Sequence, residues 1–402
     1  MTQFRLAKRA RQIKPSPTLS LVAKAKALIA EGADVIRFDA GEPDFPTPER
    51  IRDAAKRAMD EGKTGYTAAS GMPELKKTIA DKLARDNGLE YEPAQIIVSC
   101  GGKFALYIAI QALFEAGDEV LVPAPYWVSY PPMVELAGAS AVIVPTTADD
   151  DFLASAGRLA EHVGPRTRGL ILNSPSNPTG AVYDATQLAA IAGLCAEHDL
   201  WVLSDEIYEK ILFDGRVFAG IAQVAPQIRD RTLVLNGVSK TYAMTGWRIG
   251  YAAGPAPVIK AMGAMQSQST SNPTTVSQWA AVEALDGPQD DVAEMAAAFE
   301  SRRARVVELL NSLPGVTCRM PGGAFYVFPD FKAHLGKRAG DRVLTDDSAF
   351  SEFLLEKHHV AMVPGSAFGA PGFQRISYAC SLEAIEQGVA RIGEALEELE
   401  PA

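Results

Sequence analysis

In the stretch "SKTYAMTGWRIG" (239–250), Lys240 stands between a serine and a threonine, and Arg248 follows eight residues later in largely apolar company. Lysine and arginine are seldom buried without a partner, so both ask for one. A buried amine has a lowered pKa and can attack a carbonyl or take up a proton, while a guanidinium suits phosphate or carboxylate. Other apolar runs end on similar groups. After "RGLIL" comes "NSPSNPTG" (173–180) with Asn177, after "LWVL" comes "SDEIYEK" with Asp205 and Tyr208, and after "QIIVSC" comes Gly101–Gly102–Lys103. Taken singly, each has an ordinary reading: a solvated lysine, a helix-capping aspartate, a Gly-Gly turn, an Asn-Pro turn, or Trp127 of "APYWVSYPP" as packing. Arg375, inside the short apolar run "FQRISYA", is harder to dismiss. A guanidinium there needs a fixed anion, from a protein carboxylate or from a ligand.

The elements that must position these groups are legible from periodicity. Helical spacing marks "TPERIRDAAKRAMDEG", "PELKKTIADKLARDNG" and "DATQLAAIAGLCAEH". Between such stretches lie "QIIVS", "EVLVP", "SAVIVP", "RGLILN", "LWVLSD", "TLVLNG" and "RIGYAAG". Runs apolar on both faces and separated by helices predict an α/β fold with a mostly parallel sheet between helix layers. In such sheets ligands collect beyond the carboxyl ends of the strands, where the groups above fall. Beyond about residue 285 the rhythm changes to one long polar helix, "QDDVAEMAAAFESRRARVVELLNSL". It is followed by "GGAFYVF", a helix near 347–357, "HVAMVP", "FQRISYA" and a closing helix. The expected division is a large domain over 46–285 and a smaller α+β domain formed by 1–45 with 286–402.

Composition narrows the classes. A net charge of −10 over 402 residues argues against wholesale binding to nucleic acid or anionic lipid. No apolar segment is long enough to span a bilayer, and the basic start "MTQFRLAKRARQIK" lacks the apolar core of a secretory signal, so it reads as a solvated arm. Cys100, Cys195, Cys318 and Cys380 are widely spaced, which suits reduced thiols of a cytoplasmic protein. The histidines show no metal-ligand spacing, so no metal site is expected.

One ligand would use all of the strand-end groups: pyridoxal phosphate. Lys240 would hold its aldehyde as an imine, and Asp205 would keep its ring nitrogen protonated. Tyr208 and Asn177 would bond the ring oxygen, and Trp127 would stack on the ring. The phosphate would sit on the N–H groups of the helix opened by Gly101, Gly102 and Lys103, with Ser239 and Arg248 completing the cup. The motifs "AGEPDF" (40–45), "GYTAASG" (65–71), "GGK", "PYWVSYP", "NSPSNPTG", "SDEIYE", "SKTYAMTGWRIG", "GGAFY" and "RISYA" recur along the chain in order. On them the sequence resembles class I aminotransferases of the aspartate aminotransferase family, fold type I of the pyridoxal-phosphate enzymes, over essentially its whole length.

That resemblance implies further roles. Gly41, Trp127, Asn177 and Arg375 match positions that hold the substrate α-carboxylate. Tyr66 matches a tyrosine that reaches the cofactor phosphate of a neighbouring subunit, which implies a homodimer with shared active sites. Many relatives carry a second hydroxyl two residues before Ser239, where this chain has Gly237. In the bacterial subgroup it resembles, Lys103 takes a substrate's distal carboxylate, with Lys14, Ser16 and Thr18 of "KPSPT" as contacts at the pocket mouth. The expected reaction is ping-pong transfer from aspartate to 2-oxoglutarate, with prephenate as a second acceptor. Alternatives on the same scaffold are an aromatic, alanine or kynurenine aminotransferase, or a β-lyase. A regulator on this fold would need a DNA-binding helix pair ahead of the domain, and the residues before Pro15 are too few for one.

Overall fold

The computed structural model describes residues 5–13 and 17–401, with the side chains of 12 and 17–20 left out of the description. Its seven two-face apolar runs all become strands of one sheet. After a short N-terminal strand β1 (Ile36–Arg37), these are β2 (Ile96–Ser99), β3 (Glu119–Ala124), β4 (Ser140–Pro145), β5 (Thr167–Asn173), β6 (Trp201–Asp205), β7 (Thr232–Gly237) and β8 (Gly250–Ala253). Their order is β2-β8-β7-β6-β5-β3-β4. Ile97, Val98, Val120, Leu121, Leu170, Leu203 and Leu233 are all buried, as expected for a sheet covered on both faces.

All neighbours in this sheet are parallel except around β8, which runs antiparallel to both β2 and β7. The reason lies in the β7–β8 connection. It holds a single 3₁₀ turn, Thr245–Trp247, and no crossover helix, so the chain doubles back beside β7. Two reversals leave β2 parallel to β7, and Ser99 and Gly237 both pair with Gly250. The carboxyl ends of β2, β5, β6 and β7 therefore share one edge, and the β7–β8 connection lies across it.

The remaining strands are β9 (Tyr326–Val327), a hairpin of β10 (Arg338–Ala339) and β11 (Arg342–Val343), then β12 (Val360–Ala361), β13 (Val363–Pro364) and β14 (Gln374–Ser377). β13, β14 and β9 form an antiparallel sheet that carries Arg375. β1 pairs in parallel with β12, which ties the N-terminal segment to the C-terminal part of the chain. The long polar helix is present as Asp290–Asn311, and the expected helices form at Glu49–Asp60, Pro73–Asn87 and Ala185–Glu197. The last starts with a capping box between Asp184 and Gln187. In the basic start, a five-residue helix forms over Lys8–Gln12, with Lys8, Arg9, Ala10 and Arg11 exposed. No helix among the described residues is long and apolar enough to cross a membrane.

One buried ion pair joins the layers. Lys82, on the helix Pro73–Asn87, meets Glu209 just past β6, and both are nearly inaccessible. Asn87 accepts from Lys82 Nζ at 2.7 Å and donates to Glu209 at 2.8 Å. Removing one member of such a pair strands the other charge, so Lys82→Met is expected to cost about 3–5 kcal/mol in urea unfolding. The double variant Lys82→Met/Glu209→Gln should recover part of that loss. A Lys82→Met cost indistinguishable from zero would contradict the reading.

Candidate active site

The shared strand edge opens on a cavity of about 410 Å³. Of the residues singled out in the sequence, Gly41, Gly102, Lys103, Trp127, Asn177, Asp205, Tyr208, Ser239, Lys240, Arg248 and Arg375 line it. Gly101 caps the helix Gly102–Leu113 beside it, with φ of 88°. Tyr66 does not reach it and is 94% exposed. Lys14 and Ser16 lie outside the described residues. Thr18 falls in the helix Pro17–Ala30, whose Val22 lines the cavity, but its own side chain is not among those described.

Close backbone approach builds the anion end. A Cβ on Gly250 would lie 2.1 Å from the Gly102 nitrogen, so only glycine lets the helix start settle onto the sheet edge. A Cβ on Gly101 would lie 2.3 Å from Arg248 Nη2, so the guanidinium packs directly on that glycine. Arg248 itself has φ of 57° and is held by its Nη1 donating to the Thr245 carbonyl at 2.8 Å. Gly237 is equally constrained: a Cβ there would be 3.0 Å from Gly250 Cα and from the Ile249 carbonyl. The hydroxyl missing at this position thus coincides with crowding against β8.

At the cavity floor, Asp205 receives the Tyr130 hydroxyl at 2.7 Å and the Ile207 N–H at 3.3 Å. Burial nevertheless raises its pKa to about 6. Asn173 holds the neighbouring loop in place. Its amide donates to the Asp205 carbonyl at 3.0 Å and its oxygen accepts the Asn177 N–H at 2.8 Å. Lys240 Nζ donates to the Gly41 carbonyl. Its pKa is pushed down to about 8, first by burial and then by Arg375 and Arg248, with Glu42 and Asp205 opposing. Lys103 lies 4.8 Å from the Trp127 ring centre, and burial, aided by Arg248, lowers its pKa as well.

Arg375 is 5% exposed. It donates to Asn177 Oδ1 at 3.2 Å and to the Asp39 carbonyl at 2.9 Å, and its Nε is buried with no partner. No carboxylate among the described residues pairs with it, so of the two anion sources posed by the sequence the protein's own is absent. With its oxygen engaged by Arg375, Asn177 keeps its amide hydrogens for another acceptor. Sequence reasoning missed Tyr130 and Tyr326 as site residues. Tyr130 lay in the quoted "PYWVSYP" and Tyr326 in "GGAFY", but nothing in spacing alone shows which hydroxyl turns inward.

The donor set fits pyridoxal phosphate: a glycine-opened helix start beside Arg248, an amine of lowered pKa, a buried carboxylate, and Arg375, a second guanidinium with no carboxylate partner among the described residues. Cations outnumber acids around this cavity in a chain that is acidic overall. Residues 33–392 match the family Aminotransferase class I and II, and the chain belongs to that family. It is 52% identical over 384 residues to the aspartate/prephenate aminotransferase of Cereibacter sphaeroides, spanning 95% of this chain and 96% of that one. It is also 49% identical to the aspartate aminotransferase of Geobacillus stearothermophilus, over 97% of this chain and 98% of that one. Among solved structures, the aspartate aminotransferase of Rhizobium meliloti superposes with a TM-score of 0.95 at 46% identity, covering 99% and 100% of the two chains. The Thermus thermophilus aspartate aminotransferase with maleate gives 0.91 at 43%, covering 98% and 100%. The fold is that of the aspartate aminotransferases.

The Asp205 shift has a consequence for stability. Its folded pKa of about 6 exceeds the ordinary 3.8, so the folded state binds the proton more tightly. Ionisation therefore costs the unliganded protein stability above about pH 6, and the cost vanishes as pH falls below the ordinary value. Asp205→Asn should stabilise the unliganded protein at pH 8 by about 1–3 kcal/mol, at roughly 1.4 kcal/mol per pKa unit. In urea unfolding the gain should shrink at pH 5. An equal gain at both pH values would contradict the shift.

Proposed function

We propose that this protein is a pyridoxal-phosphate-dependent aspartate aminotransferase that passes the amino group to 2-oxoglutarate, with prephenate as a second acceptor giving arogenate. The observation that carries the reading is the buried guanidinium of Arg375, with no carboxylate partner among the described residues, facing the same cavity as the Lys240 amine and Asp205. Pyridoxal phosphate, when bound, supplies an aldehyde that condenses with amines and a protonated ring that accepts the electron pair left by a departing α-proton.

The chain's own residues do the rest. The N–H groups of Gly102 and Lys103 at the helix start, with Ser239 and Arg248, hold the phosphate, where the helix N-terminus favours an anion; the Gly101 N–H is already donated to the Ser99 carbonyl. Asp205, kept in place by Tyr130, fixes the ring-nitrogen proton, and that cationic partner brings its own pKa back down. Tyr208 and the Asn177 amide donate to the ring oxygen, and Trp127 covers the ring face. Arg375, with Gly41, Trp127 and Asn177 around it, grips the α-carboxylate with its paired N–H groups. Lys240 moves the proton at the α-carbon. With a pKa of about 8 a useful fraction of it is neutral near physiological pH, as a general base requires. Lys103 answers the distal carboxylate, and its place in a helix's first turn, which the dipole disfavours for a cation, fits a functional reason for it. Lys14, Ser16 and Thr18 are assigned to the pocket mouth on the resemblance alone.

We further propose a homodimer in which Tyr66, exposed on the single chain, reaches the partner's cofactor phosphate. The proposed division into 46–285 and 1–45 with 286–402 is supported by the β1–β12 pairing. The names of the relatives support aspartate as a substrate, and one of them supports prephenate as well.

The test is a donor and acceptor panel on purified enzyme: aspartate, glutamate, alanine, tyrosine and kynurenine against 2-oxoglutarate, and prephenate with the best donor. Aspartate and glutamate should be the best donors. Failure of aspartate beside success of an aromatic donor would replace the dicarboxylate assignment, and release of a β-substituent without amine exchange would indicate a lyase. Lys103→Ala should lower kcat/KM for aspartate about 10–100-fold, the scale of one charge-assisted bond, and leave alanine much less affected. Equal loss on both would remove Lys103 from the distal contact.

A further inference from the structure

Tyr326 lies on β9 beside β14, and its residue pair across the ladder is Ser377, two positions from Arg375. Its ring carries the Arg375 guanidinium at 4.7 Å, and its hydroxyl lies 2.9 Å from the Tyr208 hydroxyl. The two rings meet edge to face at 5.8 Å, both are almost fully buried, and both face the cavity. The Gly41 backbone closes over the same hydroxyl, where an added Cβ would lie 3.6 Å away. Tyr326 therefore touches both the guanidinium assigned to the substrate carboxylate and the phenol assigned to the cofactor oxygen.

Each of two phenols sharing one hydrogen bond can be the donor, and chemistry decides which. A cation over an aromatic face draws electron density from the ring and makes its hydroxyl the stronger donor. Arg375 lies over Tyr326, which favours Tyr326 as the donor of the pair, with the Tyr208 hydrogen left for the cavity. Donation into Tyr208 polarises it and strengthens its own donation onward. The charged groups acting on this pair include Arg375 from β14, Asp205 from β6 and Glu42 after β1, and Lys240 after β7 lines the same cavity. Tyr326 connects the first of these to Tyr208 by direct contact.

We infer that Tyr326 is a positioning residue that sets Tyr208 as the hydrogen-bond donor to the cofactor's ring oxygen and couples that bond to Arg375. The inference rests on the functional reading above. Tyr326→Phe keeps the ring and its contact with Arg375 and removes only the hydroxyl, so a packing role alone would leave the donor strength at Tyr208 unchanged.

The experiment is a spectrophotometric pH titration of the visible absorption of the loaded enzyme, with Tyr326→Phe, Tyr208→Phe and the double variant beside the wild type. A donor to the ring oxygen favours the less protonated form, so weakening it moves the midpoint up. Tyr326→Phe should raise the midpoint by about half a pH unit or more, the order of one neutral hydrogen bond. Tyr208→Phe should raise it further, and adding Tyr326→Phe to Tyr208→Phe should add nothing, because the relay has lost its only outlet. An unmoved midpoint in Tyr326→Phe, or shifts that simply add in the double variant, overturns the inference. A wild type that shows no visible absorption after loading would overturn the functional reading instead.

Discussion

Arg375 is held inside protein with one amide oxygen, one backbone carbonyl and two aromatic faces as its company, and among the described residues no acid pairs with it. A buried guanidinium in that state costs free energy that only an anion can recover. Arg248 and Lys103 add to the same excess of positive charge, and Lys240 is driven toward its neutral form partly by it. The cavity is thus arranged for ligands that bring two anionic groups, one at each end. The carboxylate at its floor is out of balance in the opposite sense. Asp205 carries a raised pKa until a cation faces it, so the unliganded protein gives up stability at the atoms a cofactor would satisfy.

Backbone geometry makes this concentration of charge possible. The short β7–β8 connection turns back across the sheet edge, and that brings Ser239, Lys240 and Arg248 over the ends of strands that are distant in sequence. Glycine at 101 and 250 allows the helix start, the strand and a guanidinium to pack at distances that any side chain would prevent. The small antiparallel sheet then contributes Arg375 and Tyr326 from the other side. The Lys82–Glu209 pair sits one layer beneath, anchoring the segment that carries Asp205 and Tyr208.

Much of this was legible in the sequence because the signals were local. Two-face apolar runs give the seven strands, and turn-rich ends such as "NSPSNPTG" and "GGK" mark where ligands gather. The antiparallel course of β8 was not visible, since strand direction depends on what the connection does in space. Tyr130 and Tyr326 were read only as parts of motifs, because a hydroxyl's partner is set by packing across elements rather than by spacing. Lys82 is one of three lysines in "PELKKTIADKLARDNG", and spacing does not show which of them is buried. Tyr66, read in the sequence as reaching a neighbouring subunit, does not line the cavity of its own chain.

The central claim is that Lys240, among all lysines lining the cavity, is the amine that meets the cofactor's aldehyde. The direct measurement is to load the protein with pyridoxal phosphate, reduce it with borohydride, digest it and locate the modified residue by mass spectrometry. The account predicts a pyridoxyl group on the peptide containing Lys240 and on no other. A label on Lys103 or elsewhere, with Lys240 unmodified, would contradict it.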